Sequence, residues 1–521
     1  MDGDKSNISH TCGKTKLRPL VFWPAMILIG GATAFGIVNG TQLTEIFSGF
    51  FNLTLDRVGW LYQLSMFTAF IVVGIMTFSK IGRTRFGGDD AKAEYSFLSY
   101  FAMTFTGGVG TGILTYGVVQ PVIFAHNIYG ELNGYGIEAG TMTSSIFSLA
   151  RVFHDWTFIP YSSCALFAAV LAFMCFNKKK PLSTTSTLVP LFGDRITKGS
   201  LASIVDCLCI IAVALCTAGS LGGGILLIAS GLDIIYGIDV TNMLLFIITA
   251  TFTIAYMYSA IKGMKKGIKK FANISVNTIY VVLALLLILG PTKLILNNTL
   301  TSIGYWLNNI FEWSLDAGPI GGEALVKWWN LNNWAYFIAY SPILGIFLAN
   351  ISYGRTVREF MVVNWILPSA FSILWFGIWG FTALEWQSKG TIDLVGTIGT
   401  SGAVGAFFAF IQKLPLSTIL APFIILTILL SFSTLADGII KSIGQVCIKE
   451  TQFNKEPAWI KVVCGLLIAT IAFILIAYTK GDQGLEGIKY LGSAGGAFGL
   501  AIFVLVIFSA IKLFFIDRDS V

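Results

Sequence analysis

Runs of apolar residues long enough to cross a bilayer follow one another along almost the whole chain, at approximately 20–41, 58–80, 96–125, 141–176, 203–231, 240–262, 271–295, 329–352, 361–387, 414–445, 458–478 and 485–515. A hydrocarbon core about 30 Å thick needs about twenty helical residues. Backbone N–H and C=O groups inside it must bond within protein, which a helix achieves alone. The pattern therefore predicts an all-α integral membrane protein with about twelve transmembrane helices. Two shorter segments, around Thr299–Glu312 and Gly402–Gln412, alternate apolar and polar residues at helical spacing and are expected to lie on the membrane surface.

The polar segments between spans set the orientation. Lys14, Lys16 and Arg18 precede the first span; Lys80, Arg83 and Arg85 follow the second; Lys178, Lys179 and Lys180 follow the fourth. Five lysines lie between Lys262 and Lys270, Arg355 and Arg358 follow the eighth span, and Lys449, Lys455 and Lys461 surround the loop after the tenth. The alternate loops carry Glu45, Glu131, Glu138, Glu312, Asp316 and Asp393. Basic loops stay inside, so both termini are expected in the cytoplasm of a multi-pass plasma-membrane protein. Met1 to Arg18 has no small-residue cleavage site, so the first span is expected to remain as an anchor.

Two spans carry residues that read as interruptions: Gly107, Gly108, Gly110 and Gly112 in the third, and Ser431, Ser433, Thr434 and Asp437 in the tenth. Unwound backbone at bilayer depth persists where it lines a protein-enclosed cavity, although glycines also serve close helix packing. Spans three to seven and eight to twelve form two blocks of five, each opening on a functional-looking span. That count suggests an inverted repeat, a recurring plan for secondary transporters. The expected organisation is a cytoplasmic tail over 1–19, two N-terminal helices over 20–95, a first five-helix block over 96–295, an outer connector over 296–328, a second block over 329–515 and a short tail over 516–521.

Composition narrows the class further. In 521 residues, 55% are hydrophobic and 12% charged, too apolar for a water-soluble core. The net charge of +7 sits in short loops as a topology signal rather than a nucleic-acid surface. The eight cysteines are scattered through apolar runs and form no metal or disulfide framework. Three histidines, no nucleophile motif and no phosphate-binding glycine loop leave little from which to build an enzyme or an ATP-driven pump, and no cofactor is expected.

The candidate chemistry is aromatic. On a helix advancing about 100° per residue, Trp334, Tyr336, Phe337 and Tyr340 fall within an arc of roughly 160° and can face a common point. Such rings attract a cation that cannot donate hydrogen bonds, as in a quaternary ammonium. The same rings also suit an interfacial belt. In the fourth span Asp155, beside His154, is an ionisable group at membrane depth and a candidate proton or charge site. The bland readings place both at the solvated end of the span or pair them with each other.

Several long motifs, in order, then resemble the betaine/carnitine/choline transporter family: GGDDAKAEYSFLSYFAM running into TGGVGTGILTYGVVQP (87–121), PLSTTSTLVPLFGDR (181–195), KGMKKGIKKFANIS (262–275) and WAYFIAYSPILGIFLANISYGRTVREF (334–360). The resemblance implies a LeuT-like fold of two inverted five-helix repeats behind two extra helices, and a homotrimer. Its glycine motif is matched by Gly108, Gly110 and Gly112. Its eighth-span tryptophan box falls on Trp334, Tyr336, Phe337 and Tyr340, and its fourth-span ring positions fall on Trp156 and Tyr161. On one straight helix those two would stand about 140° apart, and Pro160 between them is placed to bend it.

Three departures bear on coupling. Gln120 stands where many relatives carry glutamate. Of the tenth-span hydroxyls used by sodium-coupled members, Thr434 is kept and its neighbour is Leu435; Thr106, Val109 and Ser431 complete a candidate ion site. No Lys or Arg occurs between Asp206 and Asp233 to replace sodium. The expected function is secondary active transport of a small quaternary or methylated ammonium zwitterion of the betaine, carnitine or choline type by alternating access. Leu435 tilts it towards sodium-independent exchange, with a sodium- or proton-coupled symporter as the alternative. A ligand-gated channel or osmosensor is the reading from another class.

Overall fold

The computed structural model describes residues 16–108, 112–262, 266–449, 457–478 and 482–517. Two N-terminal helices, α1 (Pro19–Val38) and α2 (Gly40–Phe78), precede two spans that each comprise two helical segments. The first is α3 (Phe97–Gly108) with α4 (Gly112–Ala125); the second is α5 (Met142–Trp156) with α6 (Phe158–Phe176). There follow α7 (Gly199–Tyr236), α8 (Asn242–Lys262), α9 (Lys266–Leu289) and α10 (Thr292–Leu315). A π-helical turn, Glu323–Leu331, leads into α11 (Asn332–Asn350). The chain ends in α12 (Val357–Ser388), α13 (Leu394–Gln412), α14 (Ser417–Val446), α15 (Ala458–Ala477) and α16 (Asp482–Ile511).

Among the described residues ten helices are long and apolar enough to cross a membrane, or eleven if a bent pair counts as one span, against the twelve expected. The chain is thus an all-α, multi-pass membrane protein. The differences are local. Of the third span the structure describes α3 and α4, residues 109–111 between them lying outside the described residues, and neither segment is long enough to cross alone. The second starts earlier than its hydropathy suggested, running from Gly40 with a non-helical Val58 (φ −130°, ψ 16°) inside. The connector segment Thr299–Glu312 lies within the 24-residue α10, which meets Asn277–Ile288 at a bend of 103°. Gly402–Gln412 is the second part of α13, bent at Gly402 where φ is 68°, a left-handed conformation that glycine adopts without steric cost.

The tenth span corrects an expectation. α14 continues through its polar cluster because the hydroxyls bond backwards along their own helix, Ser433 to the Leu429 carbonyl at 2.7 Å and Thr434 to the Leu430 carbonyl at 2.9 Å. Asp437 pairs with Lys441 one turn on, at 2.7 Å. Polar side chains that satisfy themselves on the helix do not interrupt it.

α11 is the axis of the fold, packed against α6, α7 and α16. Glycines permit the approach: a Cβ on Gly496 would lie 2.5 Å from the Ala335 carbonyl oxygen, and one on Gly345 would lie 2.7 Å from the Phe167 ring. Small residues at membrane helix contacts let backbones close in and gain dispersion.

Candidate functional site

The fourth span breaks at Thr157, whose φ of −118° and ψ of −127° leave the helix for one residue. Pro160 is not the cause; it sits in the first turn of α6, where its missing N–H leaves no carbonyl unpaired. The break re-aims the side chains. Trp156 packs 5.8 Å from Phe376, and the Tyr161 hydroxyl lies 3.5 Å from Ser372 Oγ. Ser372 and Phe376 are one turn apart on α12, so Trp156 and Tyr161 address the same face of that helix, which a straight span would prevent.

The third and fourth spans meet at this point. A Cβ on Gly112, the first residue of α4, would come 3.2 Å from the Trp156 ring. Tyr116, one turn on, stands 5.9 Å from Trp156 and 5.6 Å from Trp329. Phe337 of α11 closes edge-on against Tyr161, with centroids 5.5 Å apart. Tyr116, Trp156, Tyr161, Trp329 and Phe337 are each half-buried, while residues on either side of Tyr161 along α6 are fully buried. Gly108 is the last described residue of α3; Gly110 lies outside the described residues.

The four α11 rings do not converge as their arc suggested. Trp334 is fully buried against His154, 5.3 Å between rings. Tyr336 donates its hydroxyl to the Ile488 carbonyl at 3.2 Å, and Tyr340 bonds Ser220 Oγ at 2.8 Å. An arc on a helix enclosed on three sides opens onto different neighbours: Tyr336 and Tyr340 pack together over Ala212, Cys216 and Ala339, while Trp334 and Phe337 turn to the fourth span. None of the four points to lipid.

Asp155 is neither solvated nor paired with His154. It is fully buried and accepts from Gln120 Nε2 at 2.7 Å; Gln120 Oε1 in turn accepts from the Trp156 indole N–H at 2.8 Å. Asn333 Nδ2 donates to the Asp155 backbone carbonyl at 2.6 Å. An indole nitrogen only donates, so the Gln120 amide must turn its oxygen to Trp156 and its NH₂ to Asp155. The departure at Gln120 is thus a link that orients a ring. Arg151, one turn before Asp155, is fully buried too, over the Trp313 ring at 4.7 Å. The ring pattern passed over it, although the rule that flagged Asp155 applies equally to an intramembrane arginine.

A sequence model of BCCT, the betaine/carnitine/choline family transporter, matches residues 20–518. The chain belongs to this family. It is 29% identical to the glycine betaine transporter OpuD of Bacillus subtilis over 492 residues, 93% of this chain and 92% of that protein. It is 27% identical to the ectoine/hydroxyectoine transporter of Virgibacillus pantothenticus, covering 89% of this chain and 90% of the relative. It is 30% identical to the betaine/ectoine transporter LcoP of Corynebacterium glutamicum, covering 92% and 75%.

Within this BCCT chain the candidate ion positions are only partly described. Val109 and the Thr106 side chain lie outside the described residues. Thr434 spends its hydroxyl proton on Leu430, and Ser431 is half-buried on the same helix. The basic cluster after α11 is built into the fold: Arg358 donates to the Thr77 and Ser79 carbonyls, each at 2.9 Å, and Arg355 donates to the Tyr95 carbonyl with its guanidinium 5.2 Å from the Tyr100 ring. The Arg358 contacts tie the start of α12 to the end of α2, and those of Arg355 tie the preceding loop to the start of the third span. Thr356 and Glu359 cap α12 reciprocally, as their spacing in sequence requires.

Proposed function

We propose that this BCCT chain is a secondary transporter of a small quaternary or methylated ammonium zwitterion of the betaine type, moved by alternating access. Trp156, Tyr161 and Phe337 face the ammonium, with Tyr116 and Trp329 beside them and Trp334, Tyr336 and Tyr340 setting the position of α11. The substrate carboxylate faces the glycine stretch of the third span, at Gly108, Gly110 and Gly112. The observation that carries this reading is the break of the fourth span at Thr157, which sets Trp156 against Gly112 of α4, with half-buried rings in an otherwise close-packed interior. Rings without charge suit a cation that has no hydrogen bonds to lose, and each good contact contributes about 0.5–2 kcal/mol. The betaine and ectoine named for the relatives are compact zwitterions of this kind.

The same reading takes the family's arrangement: residues 96–295 and 329–515 as LeuT-like inverted repeats, both termini cytoplasmic, and a homotrimer. Leu435, a hydrocarbon side chain beside Thr434 where a second oxygen ligand would stand, supports sodium-independent exchange over sodium symport. The test is reconstitution in liposomes. Labelled glycine betaine should enter against an internal pool of unlabelled betaine. Failure to move betaine, carnitine, choline or ectoine in either direction would overturn the reading.

A further inference from the structure

Arg151 stands five residues before Trp156 on α5, about 7.5 Å of helix rise further from Lys178–Lys180. It bonds Asn330 Oδ1 through Nη2 at 2.9 Å. Its Nε and Nη1 have no acceptor, and neither has Nδ2 of the same Asn330, all three in fully buried side chains. Buried polar groups are otherwise hydrogen-bonded in about nine cases of ten, and a buried cation without an anion is costly.

The nearby acids do not fill the gap. Asp155, one turn along the same helix, gives one oxygen to Gln120, and its other oxygen, although unpartnered, makes no hydrogen bond with Arg151, so the acid acts on the guanidinium through charge alone. Asp316 bonds the backbone N–H groups of Gly318, Ile320 and Gly321. Glu312 is exposed on α10. Tyr135 and His154 are the remaining titratable groups around Arg151, and Trp313 covers one face of the guanidinium. What remains open is a set of donors, one of them fully charged, at the edge of the planar fork that matches a carboxylate.

We propose that Arg151 and Asn330 form a second, outer carboxylate site, which engages the anionic end of the zwitterion one step outward from the ring pocket. The inference rests on the transport reading above. It separates zwitterions from plain cations: glycine betaine carries the carboxylate, and choline carries the same trimethylammonium without it.

The experiment compares the two ligands on purified full-length protein, as binding and as inhibition of betaine counterflow. Arg151→Gln should weaken betaine about tenfold to about a hundredfold while leaving choline within about twofold. Asn330→Asp keeps Arg151 paired and supplies an internal carboxylate, so the protein stays folded and betaine should again weaken while choline does not. If either variant weakens both ligands equally, Arg151 is a strut between α5 and the Glu323–Leu331 turn and the proposal fails; it fails equally if betaine affinity is unchanged. A wild-type protein that binds neither ligand refutes the transport reading instead.

Discussion

Removing the amide of Gln120 isolates the link between Asp155 and the Trp156 ring. Gln120→Leu conserves volume and deletes two hydrogen bonds of 2.7 and 2.8 Å, leaving a buried indole N–H and a carboxylate oxygen without partners. Each orphaned buried group costs about 1–3 kcal/mol, which the structure relieves by letting the indole swing. A swung ring forfeits its cation–π contribution of about 0.5–2 kcal/mol, equivalent to a loss of affinity of roughly 2- to 30-fold. Trp156→Ala should lose as much by deleting the ring. Asp155→Asn keeps an oxygen that accepts from Gln120 and should bind within about threefold of wild type; Asp155→Leu should resemble Gln120→Leu. The assay is calorimetric titration of glycine betaine into protein that elutes as a single species. A Gln120→Leu protein with wild-type affinity would refute the positioning argument. An Asp155→Asn protein as impaired as Gln120→Leu would show that the charge of Asp155, rather than its acceptor, is what matters.

Four further outcomes are expected. Arg18 forms a 2.7 Å ion pair with the fully buried Asp206 and also bonds the Val446 carbonyl, so Arg18→Gln should lower the unfolding temperature in detergent, by roughly 1–3 kcal/mol of stability after allowing for the partial exposure of Arg18. A Cβ on Gly492 would lie 2.1 Å from the Tyr336 hydroxyl, so Gly492→Ala should destabilise by about 1–3 kcal/mol and Tyr336→Leu should restore much of the loss. Replacing sodium by potassium on both sides should leave betaine counterflow unchanged; abolition would contradict the exchange reading. Burial pushes the carboxyl of Glu131, in the loop before α5, above the ordinary carboxylate range, against the pull of the Tyr129 N–H. The folded state then binds more protons than the unfolded one between the ordinary and the raised value, and stability falls as pH rises through that window. Glu131→Gln should flatten that segment of a melting-temperature profile and raise the neutral-pH melting point.

Much of the fold was legible because the bilayer imposes one rule on every span. The break at Thr157 was not. Met142–Phe176 reads as continuous apolar sequence, its proline lies inside the following helix's first turn, and the residue that leaves helical geometry is an ordinary threonine. For the tenth span the reverse held: hydroxyls that looked disruptive return their protons to the preceding turn. The site was half legible. Helical spacing gives the azimuth of Tyr336 and Tyr340, but which groove each ring enters depends on α7 and α16, more than a hundred residues away in the chain. Tyr116 and Phe376 were hidden among 42 phenylalanines and 17 tyrosines, with nothing local to single them out.

The central claim is that ring faces hold a positive charge, and a pair of isosteres tests it. Glycine betaine and 3,3-dimethylbutyrate share a carboxylate and a shape; one has a cationic nitrogen where the other has a neutral carbon. Titrated into the purified protein, betaine should bind at least about tenfold more tightly, the order expected from two or three cation–π contacts. Equal affinity for the two would mean that the pocket recognises only a branched apolar group, and would contradict the account.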